Sequence, residues 1–220
     1  MGDLISVLTD NLDEWLAGFW VTLRIVAIAF AIAMVVGTLV AALRIAPNKV
    51  LQRLGGAYVE TFRNVPLLVL LFISFAGLRR AGFEVGPWEA GIASLGLYTA
   101  AYVAEALRSG VFSVSKGQIE AALSLGYTYR HALRRVVFPQ AFRTVISPLG
   151  SLIIAMIKNS AIIGVSLLAL DDLLKTARVI SSRGFQTDEA FFWAAVGYLT
   201  LTGLATVTIR FLEKRYAIHR

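Results

Sequence analysis

Apolar residues in this chain come mostly in long unbroken runs. Five stretches, near residues 19–43, 59–78, 88–107, 143–164 and 190–211, are nearly continuous in hydrophobic side chains. About 20 such residues in a helix cross roughly 30 Å of hydrocarbon, so the pattern predicts an all-α integral membrane protein with five transmembrane helices. One shorter segment has a different rhythm: "SLLALDDLLKTARVI", residues 166–180, sets leucines and charges at helical spacing without the length or oiliness to span. It is expected to be an amphipathic helix lying on the outer surface, within a connecting segment at 165–189. Pro47 with Asn48 marks a turn after the first span, and Gly86 with Pro87 marks the entry to the third.

Composition supports the bilayer as solvent. Of 220 residues, 57% are hydrophobic and 16% charged, against about 45–50% and about 25% in soluble domains. The net charge of +7 does not indicate nucleic acid, because no basic stripe is interleaved with aromatics and the bases cluster between apolar runs. Arg44, Lys49 and Arg53 follow the first span, Arg108, Lys116, Arg130, Arg134, Arg135 and Arg143 follow the third, and Lys214, Arg215 and Arg220 form the tail. The positive-inside rule makes these segments cytoplasmic, with the N-terminus outside and the C-terminus inside. Residues 1–18 carry Asp3, Asp10, Asp13 and Glu14 and no base, the reverse of a signal peptide's start, and are expected outside. Trp15, Trp20, Trp88 and Trp193 then fall at outer ends of spans, where an indole buries its body and keeps its N–H wet. There is no cysteine, which excludes thiolate chemistry and disulfides.

Within the spans a few positions stand out. Ala29, Ala33, Gly37 and Ala41 recur every four residues, a face of small side chains that admits another helix closely, either within the chain or at a subunit interface. Lys158 is an ammonium inside the fourth apolar run. At mid-bilayer it costs at least about 2.5 kcal/mol, so it faces protein or water, as a lining group of a path or as a buried partner. Arg24, near the outer end of the first span, can snorkel. Glu60 with Arg63 and Glu105 with Arg108 sit at i, i+3 near inner ends of spans, where pairing along the helix is expected. His131 has no acid or second histidine at ligand spacing, so no metal site is expected.

The stretch "GQIEAALSLGYTYRHALRRVVFPQ", residues 117–140, interrupts the oil. It predicts two short helices: Gln118–Leu125, a flexible break at Gly126, then a helix capped by Thr128 and ended at Val137 by Pro139. Between spans, within a cytoplasmic loop at 108–142, such a helix–turn–helix is a lever.

Its residues resemble a known motif. Glu120, Ala121, Ala122 and Gly126, followed by "FPQAFR", are similar to the EAA loop of permease subunits in bacterial ABC importers. "GFWVTLRI" (18–25), "YVETFRNVPLLVLLF" (58–72), "AYVAEALRSGVFSVSKGQIEAA" (101–122) and "MIKNSAII" (156–163) resemble the polar amino-acid branch. The likeness runs in order through nearly the whole chain, although Phe138 stands where a leucine is common and Lys158, Asn159, Ser160, Ala161 where lysine, aspartate, threonine, serine is usual.

The resemblance implies a type I importer permease: one transmembrane domain over 1–220 in the bacterial inner membrane, paired with a second permease subunit, the same or similar. Two ATP-binding cassette subunits carrying ATP and Mg, and an extracytoplasmic substrate-binding protein, complete the machine. Gly117, Glu120, Ala121, Ala122, Gly126, Arg130 and Pro139 would couple to the ATPase, and Lys158, Asn159 and Ser160 would line the path for glutamate, glutamine, aspartate or asparagine. The chain itself would catalyse nothing and bind no cofactor, and it carries no G-x-x-x-x-G-K-[ST] phosphate loop. A membrane-embedded enzyme is disfavoured by the lack of G-x-S-x-G, H-E-x-x-H or paired aspartates in the spans, and a secondary transporter by the lack of an internal repeat.

Overall fold

The computed structural model describes residues 2–216 apart from 167, 169 and 185, and its regular structure is helical. Helix α1 (Gly2–Thr9) leads into α2 (Leu12–Ile45), α3 (Lys49–Asn64) and α4 (Leu67–Arg80). There follow α5 (Pro87–Phe112), α6 (Lys116–Ser124), α7 (Tyr129–Val165), α8 (Leu173–Gly184) and α9 (Thr187–Tyr216). Four of these, α2, α5, α7 and α9, are long and apolar enough to cross a membrane, and α3 with α4 can count as a fifth, broken span.

That break corrects one expectation. The run at 59–78 is not one straight helix: α3 and α4 meet at 101°. Pro66 has no N–H and forces the preceding residue out of the helical region, and Val65 accordingly sits at φ −96°, ψ 128°. Asn48 caps α3 by accepting from the Val50 N–H at 2.8 Å. A second proline has the opposite outcome. Pro139 was expected to end a short helix, yet α7 continues from Tyr129 to Val165. The turn at Leu133–Val137 widens to a π-helix, in which the Phe138 N–H reaches back five residues to Leu133. A widened turn tolerates the missing donor and bulky ring of Pro139 without breaking the rod.

The small-residue face of α2 is filled from within the chain. Ala29, Ala33 and Ala41 are buried and α2 makes its most extensive contact with α5, whose Ala100, Ala101 and Ala104 are wholly buried. With side chains this small the two backbones approach closely: a Cβ on Gly37 would lie 2.6 Å from Val103 Cγ1 and 2.9 Å from the Ala100 carbonyl oxygen. Of the two readings of that face, intramolecular packing is the one observed.

The start of α2, the α4–α5 connection, α8 and the start of α9 share one end of the bundle, and α3 and α6 share the other. The amphipathic pattern at 166–180 resolves into a later, more deeply packed helix than expected. Helix α8 begins at Leu173, and Leu173, Thr176, Ala177 and Ile180 are buried against α2, α7 and α9. The N-terminal segment is helical from Gly2 and packed on the bundle. Helix α1 packs on α9 and α2, where the Trp15 Nε1–H donates to the Val7 carbonyl (3.3 Å) and the Trp193 Nε1–H to the Leu4 carbonyl (2.7 Å). Those two indoles thus bond protein carbonyls in place of water, while Trp20 and Trp88 remain exposed. Arg220, counted among the tail bases, lies outside the described residues.

Candidate functional site

Two caps within three residues build the turn between α6 and α7. Gly126 follows the end of α6 at φ +84°, a conformation that any side chain would strain. Its N–H donates to Leu123 O (2.9 Å) and the Tyr127 N–H to Ala122 O (3.1 Å), the paired bonds of a Schellman stop. Thr128 Oγ1 then accepts from the His131 N–H at 3.4 Å and opens α7. Helix α6 packs back on the first turns of α7 through the buried Ala122. The break is therefore a defined angle, not a loose hinge, and α6 abuts the base of a 37-residue helix.

Gly117, Glu120, Ala121, Gly126, Arg130 and Pro139 are all exposed, with Ala122 alone turned inward. Around them an apolar group stands clear of the chain: Leu123, Leu125, Tyr127 and Tyr129, with Leu125 81% exposed. Helix α6 starts two residues before the expected Gln118, so Glu120 lies beyond its first turn.

Lys158, Asn159 and Ser160 do not share one face. Successive residues turn by about 100° around a helix. Lys158 is exposed and makes no ion pair with any described residue, and Asn159 is half-buried. Ser160 is fully buried and its Oγ donates to the Ile157 carbonyl at 2.7 Å.

At the α3–α6 end, acids and bases meet across helices. Glu105 pairs with Arg108 along α5, as spacing predicted, but it also binds Arg44 at the end of α2. Glu60 and Arg63 form no ion pair; the Arg63 guanidinium sits 5.3 Å from the centre of the Tyr102 ring. A cavity of ≈ 490 Å³ opens beside them, lined by Arg63, Tyr102, Glu105, Ser109, Thr144 and Ser151 among others.

Sequence reasoning missed a buried polar cluster at the opposite end. Asp172, Thr22 and Ser160 have no exposed surface, and the Tyr198 hydroxyl is buried beside them. A signal was present: Asp172 falls four residues before Thr176 and eight before Ile180, on the buried face of the segment. Among the described residues no group of three His, Cys, Asp or Glu could hold a metal ion.

Long apolar helices, one of them carrying an exposed ammonium without an ion pair among the described residues, and a doubly capped, apolar-tipped turn projecting from one end of the bundle fit the membrane component of a transport system. The chain belongs to the family of binding-protein-dependent transport system inner membrane components, whose profile matches residues 33–218. It is 43% identical to the probable glutamine ABC transporter permease protein GlnM of Bacillus subtilis (strain 168), covering 96% of this chain and 97% of that protein. The glutamate/aspartate import permease protein GltJ of Escherichia coli (strain K12) is 32% identical over 90% of this chain and 85% of its own. A solved amino acid ABC transporter crystallised with histidines superposes with a TM-score of 0.89 at 31% identity, covering 94% of this chain and 96% of that one. An inward-facing methionine ABC transporter, at 21% identity and a TM-score of 0.75 over 96% of this chain and 99% of that one, shares the fold. The fold is thus that of type I ABC importer permeases.

Proposed function

We propose that this chain is one of two permease subunits of an ATP-driven importer for polar amino acids of the glutamine and glutamate class. The observation that carries the reading is the α6–α7 turn. Leu125 and its apolar neighbours are exposed on a doubly capped angle, and a soluble face of that kind calls for a protein partner. In an importer the partner is an ATP-binding cassette subunit, which holds ATP and Mg itself and receives the turn in a cleft. Gly117, Glu120, Ala121, Gly126 and Arg130 are the surface it reads, and Ala122 and Pro139 keep the lever's shape. A second permease subunit, the same or similar, gives each ATPase its dock, and an extracytoplasmic binding protein delivers the substrate.

The whole chain, 1–220, serves as one transmembrane domain in the bacterial inner membrane. The distribution of bases supports placing α3, α6 and the C-terminus in the cytoplasm and α1 and α8 outside. Lys158 and Asn159 line the path, the ammonium meeting a substrate carboxylate, while Ser160 shapes that segment from the buried side. Two observations favour the amino-acid class: the amino-acid transport for which its relatives are named, and Lys158, without an ion pair among the described residues, as the one charge on α7 beyond Arg143.

The test is Gly126→Val together with Glu120→Lys in the reconstituted complex. Both variants should reach the membrane yet lose uptake, with the ATPase subunits either dissociated or unresponsive to loaded binding protein. Normal substrate-stimulated ATPase activity and uptake in both would reduce the turn to a connector and remove the support it lends to this reading.

A further inference from the structure

Asp172 is the last residue before α8 and its side chain is fully buried. One carboxylate oxygen, Oδ1, accepts the Lys175 N–H at 2.8 Å, closing the start of the helix. The other, Oδ2, has no hydrogen-bond partner, and neither does the buried hydroxyl of Tyr198 next to it. The site is shaped for this carboxyl. Gly164 on α7 lies so close that a Cβ there would sit 1.9 Å from Oδ1, so any other residue at that position would expel the acid.

The groups around Asp172 come from four helices, and none of them is a cation. From α2, Thr22 accepts the Leu173 N–H at 3.1 Å and donates to the Gly18 carbonyl at 2.9 Å. From α7 come Gly164 and Ser160, the latter already donating to Ile157. Helix α9 offers Tyr198, the one titratable neighbour. On α8 itself Lys175 contributes its backbone N–H, while its ammonium turns outward to Asp171 at 2.6 Å. The nearby ion pair of Arg183 with Glu14 is on the exposed rim.

An ionised carboxylate here could accept from the Tyr198 O–H, but it would be a fully buried charge with no cation beside it, a costly arrangement. A neutral carboxyl carries no such charge, and its O–H can donate to the adjacent phenol oxygen. We propose that Asp172 and Tyr198 form a proton-operated latch that holds α8 against α7 and α9 when the carboxyl is neutral and weakens when it ionises. The proton is not transferred to Tyr198; it stays on Asp172 and is shared in a hydrogen bond, and when α8 lifts it leaves to water. Burial raises the carboxyl to about 6, against the opposing pull of the Lys175 and Leu174 N–H groups, the Tyr198 hydroxyl and the Gly164 N–H. Acidity in the range from about 4 to 6 therefore favours the closed end. Because Ser160 belongs to the cluster and Lys158 lies two residues before it on the exposed face of α7, release of the latch frees the helix segment that carries the proposed path cation.

The role in a moving path rests on the transport reading above, but the latch can be tested without uptake. Hydrogen exchange of the α8 amides, Leu173–Gly184, is followed on the assembled, nucleotide-free complex in nanodiscs from pH 4 to pH 7.5, each amide being corrected for its intrinsic rate. In the native chain, protection of α8 should fall by on the order of a hundredfold as pH rises through 6. In Asp172→Asn, which keeps a donor for Tyr198 and never ionises, protection should stay high and flat. In Tyr198→Phe, which removes the carboxyl's partner in either protonation state, it should be lower at both ends of the range while the pH response persists. A flat native profile, or a pH response that survives in Asp172→Asn, overturns the proposal. Nanodiscs expose both faces and the measurement needs no ATP, so that failure would leave the transport reading standing. Conversely, a complex that does not take up amino acids would defeat the transport reading and leave the latch intact.

Discussion

Close approach of α2 and α5 is the feature on which the bundle depends most, and Gly37 is where it can be tested. A methyl added there would meet Val103 Cγ1 at 2.6 Å and the Ala100 carbonyl oxygen at 2.9 Å. The valine can rotate; the carbonyl belongs to the α5 backbone and moves only with its helix. Relief therefore means pushing apart two helices whose interface is made of buried alanines, and forced overpacking of this kind costs about 1–3 kcal/mol. Against it, alanine is favoured over glycine in a helix by about 1 kcal/mol. Gly203 in α9 supplies the reference, since a Cβ there meets nothing within 4 Å.

Comparing Gly37→Ala with Gly203→Ala cancels the propensity term and leaves the packing term. The first should be less stable than the second by about 1–3 kcal/mol, and Gly37→Leu, which cannot fit by a local shift, by about 3 kcal/mol or more. Reversible unfolding in bicelles, followed by the fluorescence of the four tryptophans, measures the differences. If Gly37→Ala and Gly203→Ala are equally stable, the tight α2–α5 seam is wrong, whatever happens to Gly37→Leu.

Other expected outcomes concern charge and topology. Lys158→Met should assemble normally but lose at least tenfold in uptake, read as transport per complex in proteoliposomes; unimpaired uptake would make Lys158 a bystander. Glu105→Gln leaves Arg44 and Arg108 facing each other without their carboxylate and should cost about 1–3 kcal/mol in the same unfolding assay, a smaller sum than a fully buried break because all three groups keep some solvent. The raised carboxyl of Asp172 makes the native fold most stable below about pH 4, with about 3 kcal/mol lost as pH rises through about 6; Asp172→Asn should abolish that dependence and be the more stable form at pH 7. Single cysteines at Asp10, Arg135 and Lys214 in this cysteine-free chain should react with an impermeant maleimide on intact cells only at position 10, and labelling at 135 would invert the proposed orientation.

What was legible in the sequence divides along a physical line. A 20-residue apolar run reports its own burial, so the helices α2, α5, α7 and α9 were visible as composition. Local capping was visible too: Gly126 and Thr128 do at the turn what their residue types suggest. The two prolines show where local rules stop. Both lack a donor, yet Pro66 ends α3 and bends the chain by 101°, while Pro139 is absorbed by a π-turn inside an unbroken helix. The difference is the cost of rearranging the turn before each proline, which depends on what packs around it. Charge pairing has the same limit. The i, i+3 rule says that Glu60 can reach Arg63 and Glu105 can reach Arg108, but it does not rank those partners against others. In the fold, Tyr102 takes Arg63, and Arg44, 61 residues away in sequence, shares Glu105 with Arg108. Asp172 is the extreme case, since its neighbours Thr22, Gly164 and Tyr198 come from three other helices. A carboxylate beside three leucines and a lysine looks like the polar side of a surface helix until those helices close over it. Polar residues in a membrane protein are few and expensive to bury, so the ones that local rules misplace are where tertiary structure has imposed a partner, and they are the residues to mutate first.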